Sequence, residues 1–173
     1  MSKRRVLVAF VPLFALCACG GDGSSSASPS GTCGMRAEVT DGTVVRFTDS
    51  NDAACATQHS FSSGLEAVFV GNGAKGAIEL VIANVTEGET GGDYPTRLEL
   101  SNGAGESWKS DDCLTSITEH ELLRTEETEL GEFRIYRVVG EGRCAEPLGS
   151  VTAGGNAAVL DSFAFHAEFT WRG

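Results

Sequence analysis

Beyond residue 32 the chain is written mostly in period two. The clearest run is the last. Val159, Asp161, Phe163, Phe165, Ala167, Phe169 and Trp171 share one parity, and Leu160, Ser162, Ala164, His166, Glu168 and Thr170 share the other. Successive side chains of a strand point to opposite faces, so this spacing predicts a strand with an aromatic inner face. It turns His166, Glu168 and Thr170 outward. A helix would scatter the same aromatics, because two residues there lie about 200° apart. Asp161 breaks the alternation at its start.

Shorter runs repeat the theme. Val44 to Phe47 is one, and Leu65 to Val70 is nearly apolar throughout, as a central strand would be. Ala77 to Val85 carries Ile78, Leu80 and Ile82 on one face. Leu98 and Leu100 alternate with Arg97 and Glu99, and Phe133, Ile135 and Val139 alternate less regularly with Arg134 and Tyr136. Turn-forming clusters separate the runs: GNGAKG, TEGETGGD, SNGAG, GEG and AGGN. About eight strands punctuated in this way predict an all-β fold, an antiparallel β-sandwich or small barrel. One segment resists. Ile117 to Gly131 is rich in helix formers, and Thr118 with Glu121 fits a capping box. Its apolar residues Ile117, Leu122, Leu123 and Leu130 make no 3.6-residue stripe. A strand from Leu114 to Leu123 followed by an acidic loop is the better reading. Val-Gly-x-Gly, at 70–73 and again at 139–142, reads as a turn device used twice.

Length allows one domain with a real core: the chain has 173 residues, of which 41% are hydrophobic. It carries 13 basic and 24 acidic side chains, a net charge of −11. Such a surface excludes nucleic acid as a partner, because phosphate neutralisation needs Lys and Arg.

The N-terminus changes the picture further. Lys3, Arg4 and Arg5 precede an unbroken non-polar run from Val6 to Leu16. A basic start and a short apolar stretch describe a secretory signal peptide. The run is too short for a bilayer, which takes about 20 residues, and it contains Pro12. It ends on Leu16-Cys17-Ala18-Cys19, which resembles the lipobox of bacterial lipoproteins. In that family an aliphatic residue stands at −3, a small one at −1 and an invariant Cys at +1. Leu16, Ala18 and Cys19 fill those places, whereas a frame with Cys17 at +1 would put the large Leu16 at −1. The resemblance covers residues 1–19 only. It implies cleavage after residue 18, a diacylglyceryl thioether on Cys19, and further acylation (palmitate or a similar chain) on its amine. Several acyl chains anchor a protein stably where a single one would not. Gly20, rather than Asp, follows Cys19. By the same resemblance this directs the protein to the outer membrane of a bacterial cell envelope.

Residues 20–31 read GGDGSSSASPSG and hold no large apolar side chain. Such a segment cannot bury enough surface to order itself, and its r.m.s. reach is roughly 20 Å. The chain thus divides into a signal peptide over 1–18, a lipidated Cys with a flexible tether over 19–31, and a single β-sandwich domain over 32–173. Loss of Lys3, Arg4 and Arg5 with the signal leaves ten basic against 24 acidic side chains, a net charge of −14. Anionic lipid repels such a domain, so the acyl chains must hold it at the membrane.

Cys33, Cys55, Cys113 and Cys144 remain. An even count in an exported domain reads as two disulfides. Three pairings are open, and Cys33–Cys55 with Cys113–Cys144 is favoured because each joins neighbouring segments. No two of these cysteines lie close enough for the ligand pairs of a zinc finger, so no metal site is assigned to them.

The remaining motifs carry little chemistry. Gly71 to Gly76 matches G-x-G-x-x-G, but a strand pattern follows where a dinucleotide site needs a helix. A hairpin turn fits better. His120-Glu121-Leu122-Leu123-Arg124 starts like H-E-x-x-H, with Arg124 in place of the second His. His59, His120 and His166 are scattered. Ser60, Ser62 and Ser63 lie near His59 without making a triad, which is a matter of geometry. Asp49, Asn51 and Asp52, and again Glu87, Glu89 and Asp93, could supply calcium with oxygens, although neither loop has the EF-hand pattern. Glu119, Glu121, Glu126, Glu127, Glu129 and Glu132 crowd one segment and offer a face to a basic partner. Trp108 and Tyr94 could stack on a glycan or peptide. The expectation is therefore a membrane-anchored envelope lipoprotein whose domain is a non-enzymatic structural or binding module. It has no catalytic residue and no cofactor, and takes a protein or glycan partner. A small envelope hydrolase, or a Ca²⁺- or glycan-binding module, is the alternative.

Overall fold

A computed structural model describes residues 33–39, 44–48, 53–61, 64–71, 76–151 and 155–172. The signal peptide, Cys19, the tether and the Asp49, Asn51, Asp52 loop lie outside the described residues. So do Ser62, Ser63, and the side chains of Cys55, His59 and Ser60.

Ten strands follow in order: β1 (Cys33–Val39), β2 (Val44–Thr48), β3 (Ala53–Phe61), β4 (Gly64–Gly71), β5 (Ala77–Ala83), β6 (Gly91–Ser101), β7 (Ser107–Thr128), β8 (Gly131–Cys144), β9 (Gly149–Ser150) and β10 (Leu160–Arg172). No helix occurs among the described residues. β3 to β8 form an antiparallel meander of hairpins, and β10 then pairs antiparallel with β8. The other edge of β10 is shared. β1 pairs with it over residues 160–167, and β3 meets it through the parallel pair Thr170↔His59. The sheet therefore curls round on β10 into a nearly closed barrel. β1, β3 to β8 and β10 make its wall, while β2 and β9 add short edges. The domain is thus the barrel form of the expectation, not two stacked sheets. The reason lies in β10, which joins both ends of one continuous sheet.

β10 also supplies most of the aromatic core. Phe163, Phe165, Ala167, Phe169 and Trp171 are all buried, and they pack with Phe69, Leu80, Leu98 and Val138 from other walls. The predicted inner face is correct. Leu160 is buried as well and Asp161 is exposed, because the register against β1 shifts between Glu38 and Val39. That bulge exchanges the faces at the start of the strand, where Asp161 interrupted the pattern. His166 departs from expectation. It points away from the aromatic face and is nevertheless buried, at 9% exposure.

The aromatics need space, and glycines supply it. Gly142 pairs directly with Phe163 and Gly140 with Phe165. A Cβ on Gly140 would lie 2.7 Å from the Phe165 ring, and one on Gly142 would lie 2.3 Å from that of Phe163. The second Val-Gly-x-Gly is therefore not a turn; it lies in mid-strand, where bare backbone accepts two rings. Gly140→Ala is expected to cost about 1–3 kcal/mol, as overpacking does, in equilibrium urea unfolding. In a Phe165→Ala background the same change should cost clearly less, since the ring it meets is gone.

β7 is the second departure. It runs unbroken through the expected acidic loop for 22 residues, to a turn at Glu129–Leu130 that returns as β8. Gly131 (φ 118°) and the Thr128 hydroxyl, which accepts from Leu130 N–H at 3.1 Å, shape that turn. Bulges between Ile117 and Glu119 and between Leu122 and Arg124 scramble the alternation that would have marked the strand.

Cys113 and Cys144 face each other across β7 and β8 and are joined by a disulfide. Of the two bridges expected, this is the one described in full. Cys33 is disulfide-bonded too, but its expected partner side chain, Cys55, is outside the described residues.

Candidate functional site

The chemistry-bearing side chains gather where β7 leaves β6. The last β6–β7 pair is Gly91↔Ile117. Just before β6, Thr86 to Glu89 form a tight turn in which Glu89 N–H donates to the Thr86 carbonyl at 3.1 Å. Gly88 takes φ 74° there, a conformation that costs glycine little. His120 on β7 locks the turn. Its Nδ1–H donates to the Glu89 carbonyl at 2.8 Å, and its Nε2 accepts from Gly88 N–H at 3.3 Å. Both bonds together require the neutral ring with the proton on Nδ1. The imidazole also packs against Tyr136 and Trp171, with ring centroids 5.1 and 4.9 Å away, and those two rings meet edge to face at 5.1 Å.

Glu87, on the same turn, reaches Arg134 of β8 at 3.0 Å. Arg134 also lies 3.4 Å from Glu132. Burial pushes the Tyr136 hydroxyl above its usual range, helped by its hydrogen bond to Glu87. Burial lowers the His120 pKa, against the opposing pull of the Glu89 carbonyl and the Glu87 charge. His120 is thus held by backbone on both nitrogens and by packing against two aromatic rings. It acts as a latch for the turn.

The folded pKa of His120 lies below the unfolded one, so the unfolded chain binds the proton more readily. His120 therefore contributes stability above the unfolded His value of about 6.5 and loses it as pH falls through the folded pKa. We expect urea midpoints to fall between about pH 7 and pH 5, the usual span of histidine titration. We also expect faster amide exchange at Gly88. His120→Gln should flatten the change that His120 contributes, and an unchanged profile would assign it to other groups.

Past the latch, β7 and β8 extend as a hairpin. Every residue from Glu121 to Gly131 is exposed. The hairpin is nonetheless braced: Arg124 bonds Glu126 at 2.9 Å and reaches across to Glu168 of β10 at 3.0 Å, and Arg172 donates to the Leu130 carbonyl at 3.0 Å. These carboxylates hold the Arg124 guanidinium still more firmly protonated. Leu122, Leu123 and Leu130 are 48%, 41% and 70% exposed.

A second feature is an open cleft of about 380 Å³, lined by Arg36 of β1, Asp93 of β6, Leu114 and Ser116 of β7, Glu141, Gly142 and Arg143 of β8, and Asp161 to Ala164 of β10. It draws its side chains from five strands, so no local motif announced it.

Gly71 N–H donates to the Gly76 carbonyl at 2.8 Å, and strand β5 follows directly, so the glycine motif closes a hairpin. Glu87 turns to Arg134, while Glu89 serves through its backbone, so Glu87, Glu89 and Asp93 are not gathered into one cluster. Trp108 packs against the core and donates its indole N–H to the Asn156 carbonyl at 2.8 Å. Tyr94 also packs against the core. The His120-Glu121 motif lies on a strand, and His166 is on β10 opposite Val139. Sequence reasoning missed the latch, whose partners are backbone groups 31 and 32 residues away.

Comparison with known protein families, curated proteins and solved structures finds no match to this chain.

Proposed function

We propose that the chain is a lipid-anchored lipoprotein of the bacterial cell envelope, directed to the outer membrane, and that its barrel is a non-enzymatic binding module for a protein partner. The observation that carries the anchor is Leu16-Cys17-Ala18-Cys19 at the end of a basic-then-apolar N-terminus. The fold supports the binding role in two ways. Phe163, Phe165 and Phe169 fill the barrel interior, which directs recognition to the outer surface. The β7–β8 hairpin presents a braced, acidic surface there.

Cys19→Ser is expected to abolish metabolic labelling with a fatty acid and to release the protein from the membrane fraction. Acyl groups found by mass spectrometry on Cys17 would overturn the chosen frame, and a protein that stays unlabelled in the wild type would overturn the anchor.

A further inference from the structure

We propose that the free edge of β7 between Glu121 and Thr128 takes up an extended, basic peptide segment of another protein as an added strand. The inference deepens the binding-module reading and rests on it. Among the described residues, β6 is the last strand on that edge, and it parts from β7 at Gly91↔Ile117. From Glu119 onwards β7 pairs only with β8, as far as Thr128↔Gly131. A strand with one partner directs half its backbone N–H and C=O groups outward, which is a template for another strand. Natural edges are commonly blunted by Lys or Pro. Glu121 to Thr128 contains neither, and only the bulge after Leu122 interrupts it.

The edge is also ordered in advance. The bonds from Arg124 to Glu168 and from Arg172 to Leu130 tie the hairpin to β10, so a docking strand has little to organise.

Charge selects the occupant. Glu119, Glu121, Glu126, Glu127, Glu129 and Glu132 outnumber the arginines around the hairpin, Arg124, Arg134, Arg137 and Arg172. Arg124 and Arg134 are engaged with carboxylates, Arg137 stands opposite Glu121 in the ladder, and Arg172 is bonded to the Leu130 carbonyl. A second copy of this chain would set glutamates against glutamates, which is unfavourable between neighbouring strands. An anionic lipid surface would be repelled for the same reason. A strand bearing Lys or Arg is complementary, and Leu122 and Leu123 offer apolar contact to its intervening side chains.

The test uses the full lipidated protein in neutral detergent and a labelled nine-residue peptide alternating Lys and Val. Binding is read by fluorescence anisotropy, and strand addition by hydrogen–deuterium exchange. The Lys/Val peptide should bind, and exchange should slow in residues 121–128. Affinity should drop about tenfold or more when salt rises from about 50 to about 500 mM, as screening requires. A Glu/Val peptide should not bind. E127K/E129K, which touches no ion pair described above, should weaken binding similarly while keeping the disulfide and the far-ultraviolet spectrum. Binding without protection of 121–128, or binding indifferent to E127K/E129K, would overturn the proposal, as would no binding. Labelling of Cys19 is scored in the same preparation: its loss with peptide binding intact would reject the anchor alone, and the converse would reject this inference alone.

Discussion

Phe165→Ala is expected to destabilise the domain by about 3–5 kcal/mol, the usual cost of deleting a buried Phe. Phe165 is 2% exposed and lies over Gly140, with its own backbone paired to β8 on one side and to Met35 of β1 on the other. Glycine cannot move in to fill the space, so the cavity should persist. The loss is a large share of a total stability of roughly 5–15 kcal/mol. Its neighbour serves as the internal comparison. The alternation places His166 on the outer face, where truncation would be harmless if the face were wet. Its burial changes that expectation: His166→Ala should cost about 1–2 kcal/mol, within the common range for point changes. Equilibrium urea unfolding of both variants decides the matter. A His166→Ala cost equal to or above that of Phe165→Ala would show that the aromatic face is not the main core.

The contrast shows what the sequence could carry. Strict period two from Phe163 to Trp171 encodes a local property, which side of the strand each residue takes, and that was legible. Whether the outer side meets water depends on what covers it, which no local pattern records. β7 failed for a related reason. Its two bulges each insert a residue, so Ile117 and Leu122 fall out of step and the alternation dissolves, while its glutamates and leucines favour helix as readily as loop. Pairing with β8 along its whole length overrides that propensity. Closure was illegible too, because it rests on Thr170 meeting His59, 111 residues away along the chain. Sandwich and barrel share the same strand pattern and differ only in such contacts. At the candidate site, the glutamates and His120 were visible as residue types. Their arrangement was not, since the latch depends on a turn carbonyl and amide that any sequence would offer.

Removing the Cys113–Cys144 bridge is expected to cost about 3.5 kcal/mol in the chain-entropy account of an unfolded loop of this size. The bridge spans a sequence separation of 31 residues and sits at a directly paired position. It closes the β7–β8 hairpin at the end opposite its turn. The ladder from Cys113↔Cys144 to Thr128↔Gly131 thereby becomes a covalent ring. In the folded state that ladder already holds the strands together, so the bridge adds little there; its main effect is on the unfolded chain. Two consequences separate this from a packing effect. Cys113→Ala/Cys144→Ala should fold to the same barrel, with His120 still latched and Gly88 still protected from exchange. Its loss of stability should match that of the wild type under reduction, provided that the bridge of Cys33 is left intact by the conditions chosen. A variant that loses less than about 1 kcal/mol, the scale of an ordinary surface change, would mean that the reduced unfolded chain keeps the hairpin's residual structure. A variant that fails to fold at all would place the bridge's main role in the barrel wall, where the Cys113 side chain is buried.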